Sequence, residues 1–275
     1  MPNHHTLFDV QGQVAVITGG SGVLGRTMAL GLAQAGVKVV VIGRHAETAA
    51  KVAEEIGAAG GEAIGIACDV TARAALERAL EQSIAAFGSI DILVNAAGGN
   101  LPQAVTSPER SFFDLTEQAI DEAIRLNFTG TLQACQVFGR GMAERGKGCI
   151  VNVASMASLR PLTRTVAYNA AKAAIGNFTQ WLAVHMAQEY GSHIRVNAMA
   201  PGFFLTEQNR ALLTNVEAGT LTPRGQTIID HTPMRRLGAP EDLVGTLLWL
   251  VSPASAFVTG IMIPVDGGFS AFSGV

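Results

Sequence analysis

The sequence predicts an α/β fold, in which helices cover both faces of a doubly wound parallel sheet within a single domain. Short apolar, β-branched runs alternate with helical patterns along the chain, and no long linker, internal repeat or low-complexity tract interrupts them. The 275 residues are 48% hydrophobic and 15% charged, which suits one well-buried core. A helical crossover returns the chain to the same end of the sheet, which makes the strands parallel, and such crossovers are right-handed.

The predicted strands are residues 14–18, 38–42, 62–67, 90–95, 149–154, 194–198 and 261–265. Helical patterns separate them: the first is residues 26–35, a long helix precedes the fifth strand, and the last helix is residues 240–251. Ligands of such sheets bind at the carboxyl ends of the strands. We therefore expect the functional residues to follow the strands.

A glycine-rich turn, Thr18-Gly19-Gly20-Ser21-Gly22-Val23-Leu24-Gly25, follows the first strand. Glycines let a backbone approach a pyrophosphate closely, and a helix that begins near Gly22 points free N–H groups at the phosphates. The turn predicts dinucleotide binding, with a plain tight turn as the alternative.

Ser155, Tyr168 and Lys172 form the second informative pattern. Tyr168 and Lys172 are four residues apart on a helix-prone stretch, so they share a face. An ammonium beside a phenol favours the phenolate, and we expect Lys172 to lower the pKa of Tyr168 towards working pH. Ser155 would then hold a substrate oxygen while Tyr168 transfers the proton, and hydride would have to come from a nicotinamide.

Eight separate segments, in order, resemble the short-chain dehydrogenase/reductase family over nearly the whole chain. They are the glycine-rich turn, Cys68-Asp69-Val70, Asn95-Ala96-Ala97-Gly98, Asn127, Ser155, Tyr168-x3-Lys172, Pro201-Gly202 with Thr206, and Asp266-Gly267-Gly268. The resemblance implies a Rossmann-type domain that uses NAD or NADP and needs no metal.

The same resemblance implies a catalytic tetrad of Asn127, Ser155, Tyr168 and Lys172. Asn127 would hold a water in the proton relay behind Lys172; the alternative is an asparagine that bonds a helix backbone. The implied cofactor contacts are Gly19, Ser21, Gly22, Val23, Leu24, Gly25, Arg44, Asp69, Val70, Asn95, Ala96, Ala97, Gly98, Tyr168, Lys172, Pro201, Gly202 and Thr206. One departure is Val23, which occupies the family's middle glycine position.

The end of the second strand bears on the choice of cofactor. An acidic residue there would bind the ribose hydroxyls of NAD, but this chain has Gly43 followed by Arg44. A guanidinium suits a 2′-phosphate, which favours NADP over NAD. The alternative is that Arg44 stacks on the adenine, which would allow either cofactor.

Bulk properties exclude several classes of protein. A net charge of -3 is too weak for a nucleic-acid surface. The three cysteines, Cys68, Cys135 and Cys149, follow no Cys-x2-Cys pattern, which indicates core residues in a reducing compartment. The N-terminus has no apolar targeting core, and residues 243–251 fall short of the roughly 20 needed to span a bilayer. We expect a cytoplasmic protein without a membrane or nucleic-acid partner.

Two segments exceed what the sheet requires, residues 99–113 and 203–233, and long loops of this kind often bind substrates. Their polar side chains, and arginines between Ser155 and Tyr168, suit a small hydroxylated anion. The candidate substrate residues are Asn100, Arg160, Arg164 and Arg210. Each arginine alone could instead be solvated or ion-paired.

The C-terminal half, including PGFFLTEQNRALL and VDGGFSAFSGV, resembles the branch of the family formed by D-mannonate oxidoreductases, also called fructuronate reductases. This implies reversible reduction of the ketone of D-fructuronate to D-mannonate. Alternatives are a reductase of another small polyol or sugar, a reductase of a 3-oxoacyl thioester, and a catalytically silent nucleotide-sensing protein. Family resemblance of the last helix, last strand and apolar tail also implies a homo-oligomer, a tetramer; burial within one chain would explain the same apolar pattern.

Overall fold

The structure is a computed structural model that describes residues 4–206, 210, 213–215 and 220–274. Its main feature is a parallel sheet of seven strands, which are β1 (Val14–Thr18), β2 (Lys38–Gly43), β3 (Ala63–Ala67), β4 (Ile92–Asn95), β5 (Lys147–Val153), β6 (His193–Pro201) and β9 (Met262–Val265). These strands lie in the order β3-β2-β1-β4-β5-β6-β9. A small antiparallel pair, β7 (Thr214–Asn215) and β8 (Thr220–Leu221), lies outside this sheet.

Helices connect the strands. They are α1 (His4–Leu7), α2 (Val23–Gln34), α3 (Ala46–Ala58), α4 (Arg73–Phe87), α5 (Glu117–Ile124), α6 (Gly130–Arg145), α7 (Val166–Glu189), α8 (Pro223–Asp230) and α9 (Val244–Val251). Short 3₁₀ turns add Pro102–Ala104, Phe112–Asp114, Met156–Ser158, Pro240–Leu243 and Pro253–Ser255.

The core has one large apolar cluster on each face of the sheet. On one face Leu32 of α2 packs with Leu247 of α9, and both side chains are fully buried. On the other face Leu76 of α4, Phe138 of α6 and Leu182 of α7 pack together. Helices therefore cover both faces of one sheet, which confirms the predicted α/β Rossmann-type doubly wound fold in a single domain.

The predicted long helix between β4 and β5 is interrupted. It consists of α5, a π-helical turn over Arg125–Thr129, and α6. Within that turn the side chain of Asn127 donates to the carbonyl of Ala123, and the N–H of Gly130 bonds Arg125 five residues back. Turns of this kind occur often at functional sites. The hydrophobic period does not reveal one extra residue in a turn, which is why the sequence predicts a single helix.

The two predicted loops are partly regular. Residues 99–113 contain a 3₁₀ turn and an isolated bridge between Ser107 and Arg110. Residues 203–233 contain β7, β8 and α8. A Cβ at Gly225 would lie 2.1 Å from the carbonyl oxygen of Leu213, so this segment is closely packed where it is described.

The three cysteines are free and buried. Burial raises the pKa of Cys68 to about 11 and that of Cys135 to about 12, so both are neutral core thiols. Among the described residues, no helix has both the length and the apolar character needed to cross a membrane. In the same part of the chain, no three His, Cys, Asp or Glu side chains are grouped to hold a metal ion.

Candidate active site

The segments singled out in the sequence follow neighbouring strands at one edge of the sheet. The register pairs Thr18 with Asn95, and Asn95 with Asn152, so the carboxyl ends of β1, β4 and β5 lie side by side. Pro201, the last residue of β6, pairs with Val265 of β9. The glycine-rich turn, Asn95–Gly98, Ser155 and Pro201–Gly202 therefore share this edge.

The glycine-rich turn is shaped by close backbone approaches. Gly19 has a φ of 68°, and a Cβ there would lie 2.7 Å from the backbone of Ala97. A Cβ at Gly25 would lie 2.1 Å from the carbonyl oxygen of Gly19. These two glycines let the turn pack against α2 and against the segment after β4.

Val23 does not disrupt this turn. Helix α2 begins at Val23, with Gly22 as an N-cap that forms no side-chain hydrogen bond to the first turn. Val23 is 36% exposed, so its side chain needs no space inside the turn. The first N–H groups of α2 are thus left for an anion, the arrangement that phosphates favour. The backbone fits the pyrophosphate of a dinucleotide.

The end of β2 has no room for an acidic side chain. A Cβ at Gly43 would lie 2.3 Å from the hydroxyl oxygen of Ser21. The next residue, Arg44, is exposed and forms no ion pair within the described part of the chain. Ser21 therefore occupies the space that a side chain at Gly43 would need, and the exposed Arg44 follows Gly43 in the chain.

Cys68-Asp69-Val70 follows β3 at the same edge. Oδ1 of Asp69 accepts from the N–H of Thr71 at 2.9 Å and from its hydroxyl at 2.8 Å, which closes an Asx turn. Val70 is buried, and a Cβ at Gly130 of α6 would lie 2.9 Å from its side chain. The turn fixes the backbone of this motif against α6.

Asn127 is fully buried, and its amide group is committed to backbone partners. Oδ1 accepts from the N–H of Gly99 at 2.9 Å, and Nδ2 donates to the carbonyls of Gly99 and Ala123, each at 2.9 Å. The bond to Ala123 of α5 matches the alternative of an asparagine that bonds a helix backbone, and the two bonds to Gly99 hold the loop after β4. A relay role through water stays a prediction.

Lys172 is 5% exposed and lies in the second turn of α7. Its ammonium donates to the carbonyl of Val153 at 2.7 Å, at the end of β5. A Cβ at Gly98 would lie 3.4 Å from Nζ of Lys172 and 2.7 Å from Oδ1 of Asn127. A side chain at position 98 would therefore meet two predicted catalytic residues, Asn127 and Lys172. Burial lowers the pKa of Lys172 to about 8.

Ser155 follows β5 by two residues and caps the 3₁₀ turn Met156–Ser158. Its hydroxyl accepts from the N–H of Ala157 at 3.1 Å, and Ser155 lies near enough to Tyr168 to act on the pKa of that phenol. Ser158 of the same turn donates to the backbone carbonyl of Lys172 at 2.6 Å. The 3₁₀ turn that Ser155 caps is thus bonded to α7, the helix that carries Tyr168 and Lys172.

The pKa of Tyr168 does not shift as the sequence analysis expected. Burial raises it above the ordinary value of 10, and the hydrogen bond with Ser155 opposes that rise only in part. The ammonium of Lys172 lies over the Tyr168 ring, 5.7 Å from its centre, and bonds Val153. The predicted lowering by Lys172 is therefore wrong for this arrangement; Tyr168 is a neutral proton donor in it.

The four predicted substrate residues are exposed and do not form one cluster of contacts. Nε of Arg160 donates to the carbonyl of Ser270 at 3.4 Å. Arg164 has a left-handed φ of 72°, and its carbonyl accepts from the N–H of Thr106 at 3.0 Å. Arg210 donates its N–H to the carbonyl of Thr206 at 2.9 Å. Asn100 follows Gly99, which the side chain of Asn127 holds by two hydrogen bonds.

A buried polar chain that was not predicted from the sequence lies beneath the site. Nδ2 of Asn95 donates to Oδ1 of Asn152 at 2.9 Å, and Nδ2 of Asn152 donates to the hydroxyl of Thr179 at 2.9 Å. This chain joins β4 and β5 to α7, the helix that carries Lys172. An asparagine inside the apolar run of β5, and a threonine seven residues after Lys172, were the available signals.

Comparison with known proteins places these features in context. The family model for short chain dehydrogenases matches residues 13–217. An uncharacterised oxidoreductase of Bacillus subtilis strain 168, UxuB, is 50% identical over 284 residues, with 100% of both chains covered.

Two solved structures are also similar. A candidate D-mannonate oxidoreductase from Haemophilus influenzae, with bound NAD, has a TM-score of 0.91 at 42% identity and covers 97% of this chain and 98% of its own. A gluconate 5-dehydrogenase from Burkholderia cenocepacia, in complex with NADP and tartrate, has a TM-score of 0.87 at 32% identity and covers 98% and 100%.

The matched model spans well over half of the residues, and the first relative is similar along its whole length. The glycine-rich turn, the strand-edge serine and the tyrosine–lysine pair of α7 lie within the matched range. The chain belongs to the short-chain dehydrogenase family and is an oxidoreductase that acts on hydroxyl groups.

Proposed function

We propose that this protein interconverts the ketone and alcohol of a small sugar acid with a nicotinamide cofactor, and that its substrate pair is D-fructuronate and D-mannonate. The observation that carries the proposal is the junction of Ser155, Tyr168 and Lys172 at the strand edge, beside a backbone turn that fits a dinucleotide. The solved neighbours include a candidate D-mannonate oxidoreductase and a gluconate 5-dehydrogenase, which supports a sugar acid.

In the direction of reduction, the ketone oxygen lies against Ser155, whose hydroxyl donates to it and polarises the carbonyl. When bound, a reduced nicotinamide supplies the hydride that the ketone carbon accepts. Tyr168 gives its phenolic proton to the same oxygen, which yields the alcohol and a phenolate. Lys172, whose buried ammonium lies 5.7 Å from the centre of the Tyr168 ring, would hold the cofactor ribose. Asn127 holds the loop that faces Lys172.

We propose that the cofactor is held by the residues predicted from the sequence and that NADP is preferred to NAD. Support comes from Gly43, where a side chain would meet Ser21, and from the exposed side chain of Arg44, the next residue. A charge-assisted donor of this kind suits a 2′-phosphate. The neighbours carry NAD in one case and NADP in the other, so both cofactors belong in the assay.

The substrate carboxylate would meet arginines that border the site. Arg164 is the strongest candidate, because its left-handed φ of 72° is strained for a side chain and is held by the bond from Thr106. Backbone strain of this kind clusters at ligand-binding sites, where it fixes the direction of a side chain. Asn100, Arg160 and Arg210 complete the proposed substrate set.

The test compares D-fructuronate with D-fructose, which has the same ketone and a hydroxymethyl group in place of the carboxylate. We expect kcat/KM to be about 10- to 150-fold higher for the acid, since a charge-assisted pair contributes roughly 1.5–3 kcal/mol. Arg164→Gln should lower this preference, and Arg125→Gln, on the π-helical turn, is a matched control. Equal use of acid and neutral sugar would overturn the sugar-acid assignment.

We also propose a homo-oligomer, a tetramer by family resemblance. An exposed aromatic row on α7 supports it: Trp181 is 57% exposed and stacks on Phe178 at 6.4 Å and on His185 at 4.8 Å between ring centroids. Apolar area of this kind commonly marks an interface. Mass photometry should give four chains for the wild type and fewer for Trp181→Lys; a monomeric wild type would contradict the proposal.

A further inference from the structure

The C-terminal tail, residues 266–272, leaves the last strand at the edge where the candidate site lies. Asp266 organises it: Oδ1 accepts from the N–H of Gly268 at 2.9 Å, and Oδ2 accepts from the N–H of Ser270 at 2.8 Å. Gly267 and Gly268 have φ values of 63° and 87°, which glycine adopts without strain. The tail is thus a fixed turn, although the catalytic proposal uses none of its side chains.

One side of this tail contacts the loop that follows Ser155. Nε of Arg160 donates to the carbonyl oxygen of Ser270 at 3.4 Å. Arg160 comes two residues after the 3₁₀ turn that Ser155 caps. The tail is therefore joined, through a single arginine, to the loop that carries the residue proposed to hold the substrate oxygen.

The other side of the tail contacts the end of the long segment 203–233. The N–H of Met234 donates to the carbonyl of Gly267 at 3.1 Å. The ring of Phe269 lies 4.9 Å from that of His231 and 5.2 Å from that of Phe203, both in edge-on geometry. Phe272 adds a second contact to His231 at 5.1 Å. Both ends of the segment thus meet one aromatic ring, Phe269.

We infer that residues 266–272 act as a clamp that holds the two walls of the substrate site, with Phe269 as its main positioning residue. The clamp joins the loop after Ser155 to a segment whose two ends, at Phe203 and His231, lie 28 positions apart in the chain. It sets the distance between these walls and thereby the size of substrate that fits. This inference deepens the proposed function and rests on it for the choice of substrate.

The clamp should affect substrate binding more than cofactor binding. The backbone at Pro201–Gly202 is held by the sheet itself, because Pro201 pairs with Val265 and the N–H of Gly202 donates to the carbonyl of Val265 at 3.0 Å. Loss of the Phe269 ring leaves that pairing in place. A change in KM for the sugar acid, with the cofactor Kd nearly unchanged, distinguishes this role from a general loss of structure.

The experiment compares Phe269→Ala with Phe269→Tyr, which keeps the ring, and with Phe257→Ala. Phe257 is fully exposed and precedes the opposite end of β9. In Phe269→Ala we expect KM for D-fructuronate to rise at least about fivefold, because two ring contacts are lost, while kcat and the cofactor Kd change less than about twofold. Both comparison variants should behave like the wild type.

Hydrogen exchange provides a readout that needs no substrate. Amides of residues 220–234 should exchange at least about fivefold faster in Phe269→Ala than in the wild type, because the clamp no longer restrains them. Phe269→Leu keeps most of the buried volume and gives the same comparison if the alanine variant does not fold. Unchanged exchange and unchanged KM would overturn the clamp. If Phe269→Ala exchanges faster than the wild type but the wild type turns over no sugar acid, the clamp is supported and the proposed function is refuted.

Discussion

Gly98 is the position where the smallest change should most disturb the candidate site. A Cβ there would lie 2.7 Å from Oδ1 of Asn127 and 3.4 Å from Nζ of Lys172. Its neighbour Gly99 has nearly the same φ, 154° against 157°, but a Cβ at Gly99 would meet no atom within 4 Å. Gly98→Ala and Gly99→Ala therefore share the backbone strain and differ in the contact with the site.

The magnitude follows from this difference. Each variant should lose about 1–3 kcal/mol of free energy of unfolding to the unfavourable φ. In Gly98→Ala the amide of Asn127 must also move away from Gly99, which breaks two hydrogen bonds at about 0.5–1.5 kcal/mol each. We expect Gly98→Ala to be about 1–3 kcal/mol less stable than Gly99→Ala. Its kcat/KM should fall on the order of 100-fold further, because misplaced catalytic groups are costly.

The assay measures urea unfolding of both variants and of the wild type, and kcat/KM with the same substrate and cofactor. Cofactor binding, followed by fluorescence of the reduced nicotinamide, checks that each variant is folded. If the two variants are equally stable and equally active, the contact of Gly98 with Asn127 and Lys172 has no energetic consequence, and the geometry assigned to this loop is refuted.

Four further predictions concern single residues. Tyr168→Phe should bind cofactor normally and lose most turnover in steady-state assays, since it removes the proton donor and little volume; near-normal turnover would contradict the role. Because burial lowers the pKa of Lys172 from 10.5 to about 8, the unfolded chain binds more protons between these pH values, and the stability contributed by this group rises with pH. In urea titrations the wild type should gain up to roughly 3 kcal/mol relative to Lys172→Met between pH 8 and 10.5; parallel pH profiles would rule this out. Arg44→Ala should raise KM for NADPH about tenfold or more and leave KM for NADH nearly unchanged; equal changes would argue against a 2′-phosphate contact. Thr179→Val should cost about 1–3 kcal/mol in thermal or urea unfolding, because it leaves the buried amide of Asn152 without an acceptor; a neutral effect would show that the polar chain is not needed for stability.

The parts of the fold that follow from local patterns were predictable. The apolar runs identify all seven strands of the main sheet, and β1 has the predicted bounds, because strands of a parallel sheet are buried on both faces and read as continuous hydrophobic segments. The start of α2 was predictable for a similar reason, since Gly22 precedes a helical pattern and ends the turn. Strand ends differ from prediction by up to three residues, as at β6, because hydrogen-bond pairing continues past the apolar run.

Features that depend on contacts between distant residues were not predictable. The shift in the pKa of Tyr168 depends on burial and on the neighbouring Ser155, and neither is written in a four-residue spacing. The link between Arg160 and Ser270 joins residues 110 positions apart. Substrate specificity depends on such links, which explains why the tetrad residues were easier to nominate than the walls of the substrate site.

The central claim is that this chain reduces the ketone of a sugar acid with a nicotinamide cofactor. The most direct measurement incubates the wild-type protein with D-fructuronate and either NADPH or NADH, follows nicotinamide oxidation, and identifies the product by chromatography. We predict D-mannonate in one-to-one ratio with the cofactor consumed, at a higher rate with NADPH. No cofactor consumption with D-fructuronate, together with turnover of a neutral sugar or a 3-oxoacyl thioester, would contradict the account.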